Sequence, residues 1–166
     1  MIVPRLKGGL GNQLFQIATA YAQSKIIGTD FAINYNLENF LGAGNKCHHY
    51  KDTLYKNIPE TDYIPNKVYN EPNFSYNKIT DSKDLLLDGY FQSEKYFKEF
   101  KSDLKKLFEF PINITNRVDT HIKSIDKDII TLHVRRGDYL NNIKIHTPIT
   151  VDYYDKALKA INNNSA

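Results

Sequence analysis

Arg135 and Arg136 stand directly after the apolar run Ile129-Ile130-Thr131-Leu132-His133-Val134 and directly before Gly137-Asp138. A guanidinium fork meets two phosphate oxygens at once, in a geometry lysine cannot copy, so the pair suits an anionic ligand. The plainer alternative is an arginine paired with Asp138 at the surface, an interaction worth little. Arg136-Gly137-Asp138 also spells a tripeptide read by cell-adhesion receptors. Three residues recur by chance, however, and this triplet adjoins a buried-strand signal.

The second stretch with chemical potential is Lys7-Gly8-Gly9-Leu10-Gly11-Asn12-Gln13. Its glycines allow a tight turn and a close approach of the main chain to another group. Asn12 and Gln13 fall in the first turn of a following helix, where free amides attract anions and polar ligands. Glycine turns of this kind also join strands to helices in α/β domains that bind nothing. A dinucleotide fingerprint fits poorly, because Leu14 stands where it wants glycine or alanine and no acid follows Phe31 to Tyr35. A phosphate loop fails too, since no Gly-Lys-Ser/Thr follows. Cys47, His48 and His49 are adjacent, without a second cluster at zinc spacing, so no metal site is expected.

The elements that position these residues are legible in the pattern. Ile2, Val3 and Leu6 predict a first strand, with Pro4 tolerable only where the ladder needs no amide. Leu14, Ile17, Ala18, Tyr21 and Ala22 recur at helical steps, and Gly28 is a fitting stop. Phe31 to Tyr35 alternates as a second strand. From Asn36 to Asp84 no period persists, which predicts turns and short strands. Leu85-Leu86-Leu87-Asp88 predicts a buried strand, followed by a helix capped by Ser93 with Phe97, Phe100, Leu104, Leu107 and Phe108 as its stripe. Ile114, Val118, Ile122 and Ile125 predict a surface helix. A boundary is then placed at Asp128, with a buried strand over 129–134 and a helix over 151–161 capped by Thr150. The last two cannot form a core alone, because a sheet needs neighbouring strands to satisfy its edges.

The chain has 166 residues, 41% apolar and 25% charged, enough for a packed core. A net charge of +3 suits an anionic metabolite but lacks the single-signed excess that argues for nucleic acid or a membrane face. One cysteine rules out an internal disulfide and fits a reducing compartment. No apolar run approaches the roughly 20 residues of a membrane span. The expectation is a soluble, cytoplasmic chain, with peripheral association at the inner face of a membrane compatible with it.

Three stretches in order closely resemble the alpha-1,2-fucosyltransferases of glycosyltransferase family 11. They are Gly8 to Gln16, Asp88-Gly89-Tyr90-Phe91-Gln92-Ser93-Glu94-Lys95-Tyr96-Phe97, and His133-Val134-Arg135-Arg136-Gly137-Asp138. The last matches the His-x-Arg-Arg-x-Asp motif of that family and its relatives that use GDP-fucose. The resemblance implies an α/β, GT-B-like fold of two Rossmann-like domains facing a cleft. Residues 1–128 would be the acceptor-side domain, and 129–166 the first strand-helix unit of a truncated GDP-fucose-binding domain.

It implies transfer of fucose from GDP-β-L-fucose to a galactose 2-hydroxyl of a glycan, with inversion, without metal and without a cofactor besides the donor substrate. Carried over residue by residue, Arg135 holds the donor's β-phosphate, Arg136 and Asp138 support its loop, and His133 shapes it. Asn12, with Gly9 and Gly11, faces the donor across the cleft, so Arg135 and Asn12 are the expected catalytic residues. Pro4 departs from the family's apolar first strand. The early end implies an incomplete chain, inactive alone, and a non-catalytic nucleotide-sugar or phosphate-binding module is the alternative. No carboxylate stands in a recognisable base motif.

Overall fold

Ile2 and Val3 are wholly buried in strand β1 (Ile2–Pro4), which leads through the glycine turn into helix α1 (Leu10–Ile27), as the pattern predicts. The computed structural model describes residues 1–37, 46–136, 140, 147 and 149–163. Helix α1 starts from Gly9 and ends at Gly28, whose φ of 68° and amide bond to Ser24 O form a left-handed cap. Its small residues Ala18, Ala20 and Ala22 are buried, which lets the helix lie close to its neighbours.

Two further strands, β2 (Val68–Asn70) and β3 (Leu85–Asp88), complete a parallel sheet of order β1-β3-β2. Ile2 pairs with Leu85 and Val68 with Leu86, so β3 is central, and its three leucines are buried. A strand covered on both faces reads as an unbroken apolar run rather than an alternating one. The expected second strand survives as two parallel bridges, Ile2 to Phe31 and Ile33 to Glu60. Pro4 costs β1 nothing on the β3 side. Arg5 N donates to Leu87 O at 2.9 Å, and parallel ladders alternate sides, so Pro4's nitrogen points away from β3.

The helix expected after Ser93 is broken. Ser93 caps a 3₁₀ turn at Glu94–Tyr96, a second turn covers Lys98–Phe100, and only then does α2 (Lys101–Leu107) begin. Phe97 has φ −144° and ψ 5°, outside the helical region. That departure accompanies two ring contacts with α1, Phe97 edge-on to Phe15 at 5.6 Å and Phe100 to Tyr21 at 6.2 Å. Packing of the two rings against α1 overrides the local helical period.

Helices α3 (Ile112–Lys123) and α4 (Val151–Asn163) lie where the apolar stripes place them. The chain divides into two compact units, Met1–Val118 and Asp119–Ala166. In the second, Tyr154, Ala157 and Leu158 are the sheltered positions of α4. The buried strand expected over 129–134 is not formed among the described residues. Ile129, Ile130, Leu132 and Val134 are 46–53% exposed and make no ladder. Among the described residues of this unit the apolar segment has no neighbouring strand to take its amides and carbonyls.

Candidate functional site

Because the strands of the first unit are parallel, their carboxyl ends share one edge, and polar side chains collect there. The glycine turn is held by its main chain. Lys7 N donates to Gln16 Oε1 at 2.9 Å, and Gln16 Nε2 donates to Lys7 O at 3.0 Å. Gln13 Nε2 donates to Gly8 O at 2.9 Å, while Gln13 Oε1 accepts from the Tyr55 hydroxyl at 3.0 Å. Both glutamines are buried, so an apolar substitute would strand their partners at about 1–3 kcal/mol each. Gly8 adopts φ +75°, and a side chain there would meet Asn12 Nδ2 at 2.5 Å. Asn12 Oδ1 in turn accepts from Gln92 Nε2 at 2.6 Å, tying the first turn of α1 to the stretch after β3.

At the end of β3, Asp88 accepts from Arg5 Nη1 at 2.6 Å and from Lys7 Nζ at 2.8 Å. Burial pushes its carboxyl up, but the two cations outweigh that and hold it below the usual carboxylate range. Asp88 is therefore a weak base and a firm anchor for Lys7. Beside it, Glu71 accepts from Tyr90 N at 2.6 Å and from Phe91 N at 3.0 Å, and these bonds fix Phe91 at φ 51°. Tyr35 cannot supply a base either. Burial, with Glu60 adding to it, pushes its hydroxyl up to about 12, so it stays protonated at neutral pH. A cleft of about 350 Å³ opens between Lys7, Asn70, Glu71, Phe74, Asp88 and Tyr90.

In the second unit, His133, Arg135 and Arg136 are exposed and lie outside helix and strand. The Tyr154 hydroxyl of α4 donates to His133 O at 2.9 Å, which anchors the main chain two residues before Arg135. Asp138 and Gly137 lie outside the described residues, so the Arg–Asp138 pair does as well. Cys47 is buried in the core of the first unit, 4.0 Å from His48 Nδ1. Among the described residues, no group of three or more His, Cys, Asp and Glu is placed to hold a metal ion, and no helix is long and apolar enough to cross a membrane.

A sequence model of glycosyl transferase family 11 matches residues 2–166. The chain belongs to that family. It is 29% identical to an alpha-1,2-colitosyltransferase of Escherichia coli over 96% of its own length and 63% of the relative's. It is 25% identical to the O-antigen biosynthesis glycosyltransferase WbnK of Escherichia coli over 94% of its length and 66% of the relative's. With a galactoside 2-alpha-L-fucosyltransferase of Caenorhabditis elegans it shares 27% identity over 86% of its length and 43% of the relative's. The chain thus spans under two thirds of the length of each of these curated relatives. No solved structure matches it significantly. The small parallel sheet agrees with a Rossmann-like domain of a glycosyltransferase family.

The predicted residues of the first unit, Gly9, Gly11 and Asn12, come together at the sheet's carboxyl edge. Sequence reading missed the groups that hold them. The glutamines stand at a three-residue step on the buried face of α1, and a buried amide must be paired, so Gln13 and Gln16 carried a usable signal. Glu71 carried none, because its partners lie some twenty positions away.

Gly11 offers a direct test of a ligand role. A Cβ at Gly11 would meet nothing within 4 Å, so the domain itself does not require glycine there. In the first turn of α1, Gly11→Ala is expected to raise stability by roughly 0.5 kcal/mol through helix propensity and a less mobile unfolded chain. If a donor sugar or phosphate approaches this main chain, the same variant lowers transfer. A melting curve and a transfer assay read the two effects separately, and unchanged transfer would remove Gly11 from the site.

Proposed function

We propose that the chain forms the acceptor-side domain, and opens the donor-side domain, of an inverting, metal-independent alpha-1,2-fucosyltransferase of GT-B architecture. The donor is GDP-fucose and the acceptor a galactose-terminated glycan. The observation that carries this reading is the family match across the whole of 2–166 together with Arg135-Arg136 in its motif. Departure of GDP leaves negative charge on the β-phosphate while the sugar becomes cation-like. A guanidinium at that phosphate therefore stabilises the transition state more than the ground state, which meets the need a metal would otherwise fill. Arg136 and Asp138 support the phosphate loop, His133 shapes it, and Asn12 with the Gly9 and Gly11 main chain meets the donor. Residues 129–134 gain strand partners in that second domain.

The testing experiment supplies the full gene product with GDP-fucose and lactose and determines the linkage of the product by NMR. An alpha-1,2-linked fucosyl product is expected, formed equally well in a chelator. Complete loss in the chelator, restored by magnesium or manganese, would overturn metal independence, and absence of any transfer would overturn the function. A second donor is favoured by one observation, the 29% identity to the colitosyltransferase. GDP-colitose offered in competition decides between the two sugars.

A further inference from the structure

We propose that the cleft at the carboxyl ends of β2 and β3 binds one neutral pyranose, its C–H face on the Phe74–Tyr90 ring pair and its hydroxyls at Asp88, Lys7 and Asn70. Phe74 is 71% exposed on the cleft wall, with its ring stacked on Tyr90 at 6.2 Å and 26°. An exposed aromatic pair beside fixed polar groups is the pattern of a ligand site, and about 350 Å³ is at the small end of such sites. It fits a single sugar residue better than a nucleotide.

Charge points the same way. Arg5 and Lys7 both pair with Asp88, and Glu71, held by the amides of Tyr90 and Phe91, adds a second carboxylate, so the two cations and two carboxylates cancel and leave no surplus with which to hold an anion. Hydrogen-bonding capacity nevertheless remains. Lys7 Nζ has three donors and gives one to Asp88, while each Asp88 oxygen keeps a lone pair, so adjacent hydroxyls find a donor and an acceptor side by side. Lys7 also lies 5.0 Å over the Tyr90 ring, and its main chain is clamped by Gln16, so the polar groups are ordered before a ligand arrives. That this sugar is the acceptor of transfer rests on the function proposed above; its binding does not.

Saturation-transfer NMR of the 166-residue chain with methyl β-D-galactopyranoside and with lactose tests the site. Transfer to the ring C–H protons is expected, unaffected by added GDP. Phe74→Ala should weaken binding at least tenfold with an unchanged melting temperature, since its side chain is exposed, and Phe74→Tyr should restore it. No transfer from the protein, equal binding by Phe74→Ala, or displacement of the sugar by GDP would each overturn the proposal. Sugar binding that depends on Phe74 in a protein without fucosyltransferase activity would leave this cleft standing and remove the function. An active enzyme whose acceptor KM ignores Phe74→Ala would keep the function and take the acceptor role away from this cleft.

Discussion

Arg135→Lys in the full gene product is expected to slow fucose transfer about a hundredfold, and Arg135→Ala to slow it further. Lysine keeps the charge but loses the planar fork that meets two phosphate oxygens together, so the difference between the variants separates geometry from charge. Preorganisation depends on what holds the main chain. The Tyr154 hydroxyl, which donates to His133 O, is an anchor two residues upstream of Arg135. The flanking apolar residues of 129–134 remain half exposed, and burying them in a ladder would fix Arg135 with little reorganisation left for the moment when charge develops on the leaving phosphate. The effect should therefore fall on kcat and leave acceptor KM nearly unchanged. If Arg135 served only a surface pair with Asp138, either variant would shift stability by less than about 1 kcal/mol and leave transfer intact. Transfer rates at saturating donor, beside melting curves of the same proteins, decide between these outcomes.

The parts of the fold that were legible in the sequence are those governed by local patterns. Ile2 to Gly28 could be read as strand, turn and capped helix because each signal lies within a few residues of the structure it specifies. The leucines at 85–87 announced a buried strand for the same reason. Two readings failed where distant partners decide. The stripe from Phe97 to Phe108 has a helical period, yet Phe97 leaves the helical region where its ring and that of Phe100 pack on α1. The run at 129–134 has strand composition, but a strand is completed by its neighbours, and the second unit supplies none among the described residues. The candidate site divides in the same way. Gly9, Gly11 and Asn12 are marked by their motif, whereas the Lys7–Asp88 pair and the Glu71 cap join residues 19 to 81 positions apart and become visible only when the parallel strands bring their carboxyl ends together.

Gly89→Ala is expected to be among the most destabilising single changes in the first unit, at about 3 kcal/mol or more. A Cβ on Gly89 would lie 2.4 Å from Glu71 Cβ, 2.8 Å from Glu71 Oε2 and 2.9 Å from Phe91 Cε2. Rotating the Glu71 side chain cannot relieve the first contact, because a Cβ moves only with its backbone. That backbone is fixed in the sheet, since Glu71 N donates to Asp88 O at 2.9 Å and Asn70 pairs with Asp88 in the β2–β3 ladder. Either the ladder opens at its carboxyl end or the loop after β3 moves away. In the second case Tyr90 N and Phe91 N lose the carboxylate, and nothing holds Phe91 at φ 51°. Overpacking alone costs about 1–3 kcal/mol, and lost bonds to a charged group add about as much. For a domain of this size the melting temperature should fall by about 10 °C or more. A double-variant cycle isolates the cause. Glu71→Ala keeps the offending Cβ but has already given up the carboxylate, so on that background Gly89→Ala should still cost the overpacking share of about 1–3 kcal/mol, whereas on a Glu71→Gly background the same alanine should cost clearly less. A fall of less than about 2 °C for Gly89→Ala alone would show that the β2–β3 end yields freely, and the fixed Lys7–Asp88–Tyr90 cleft wall would have to be abandoned with it.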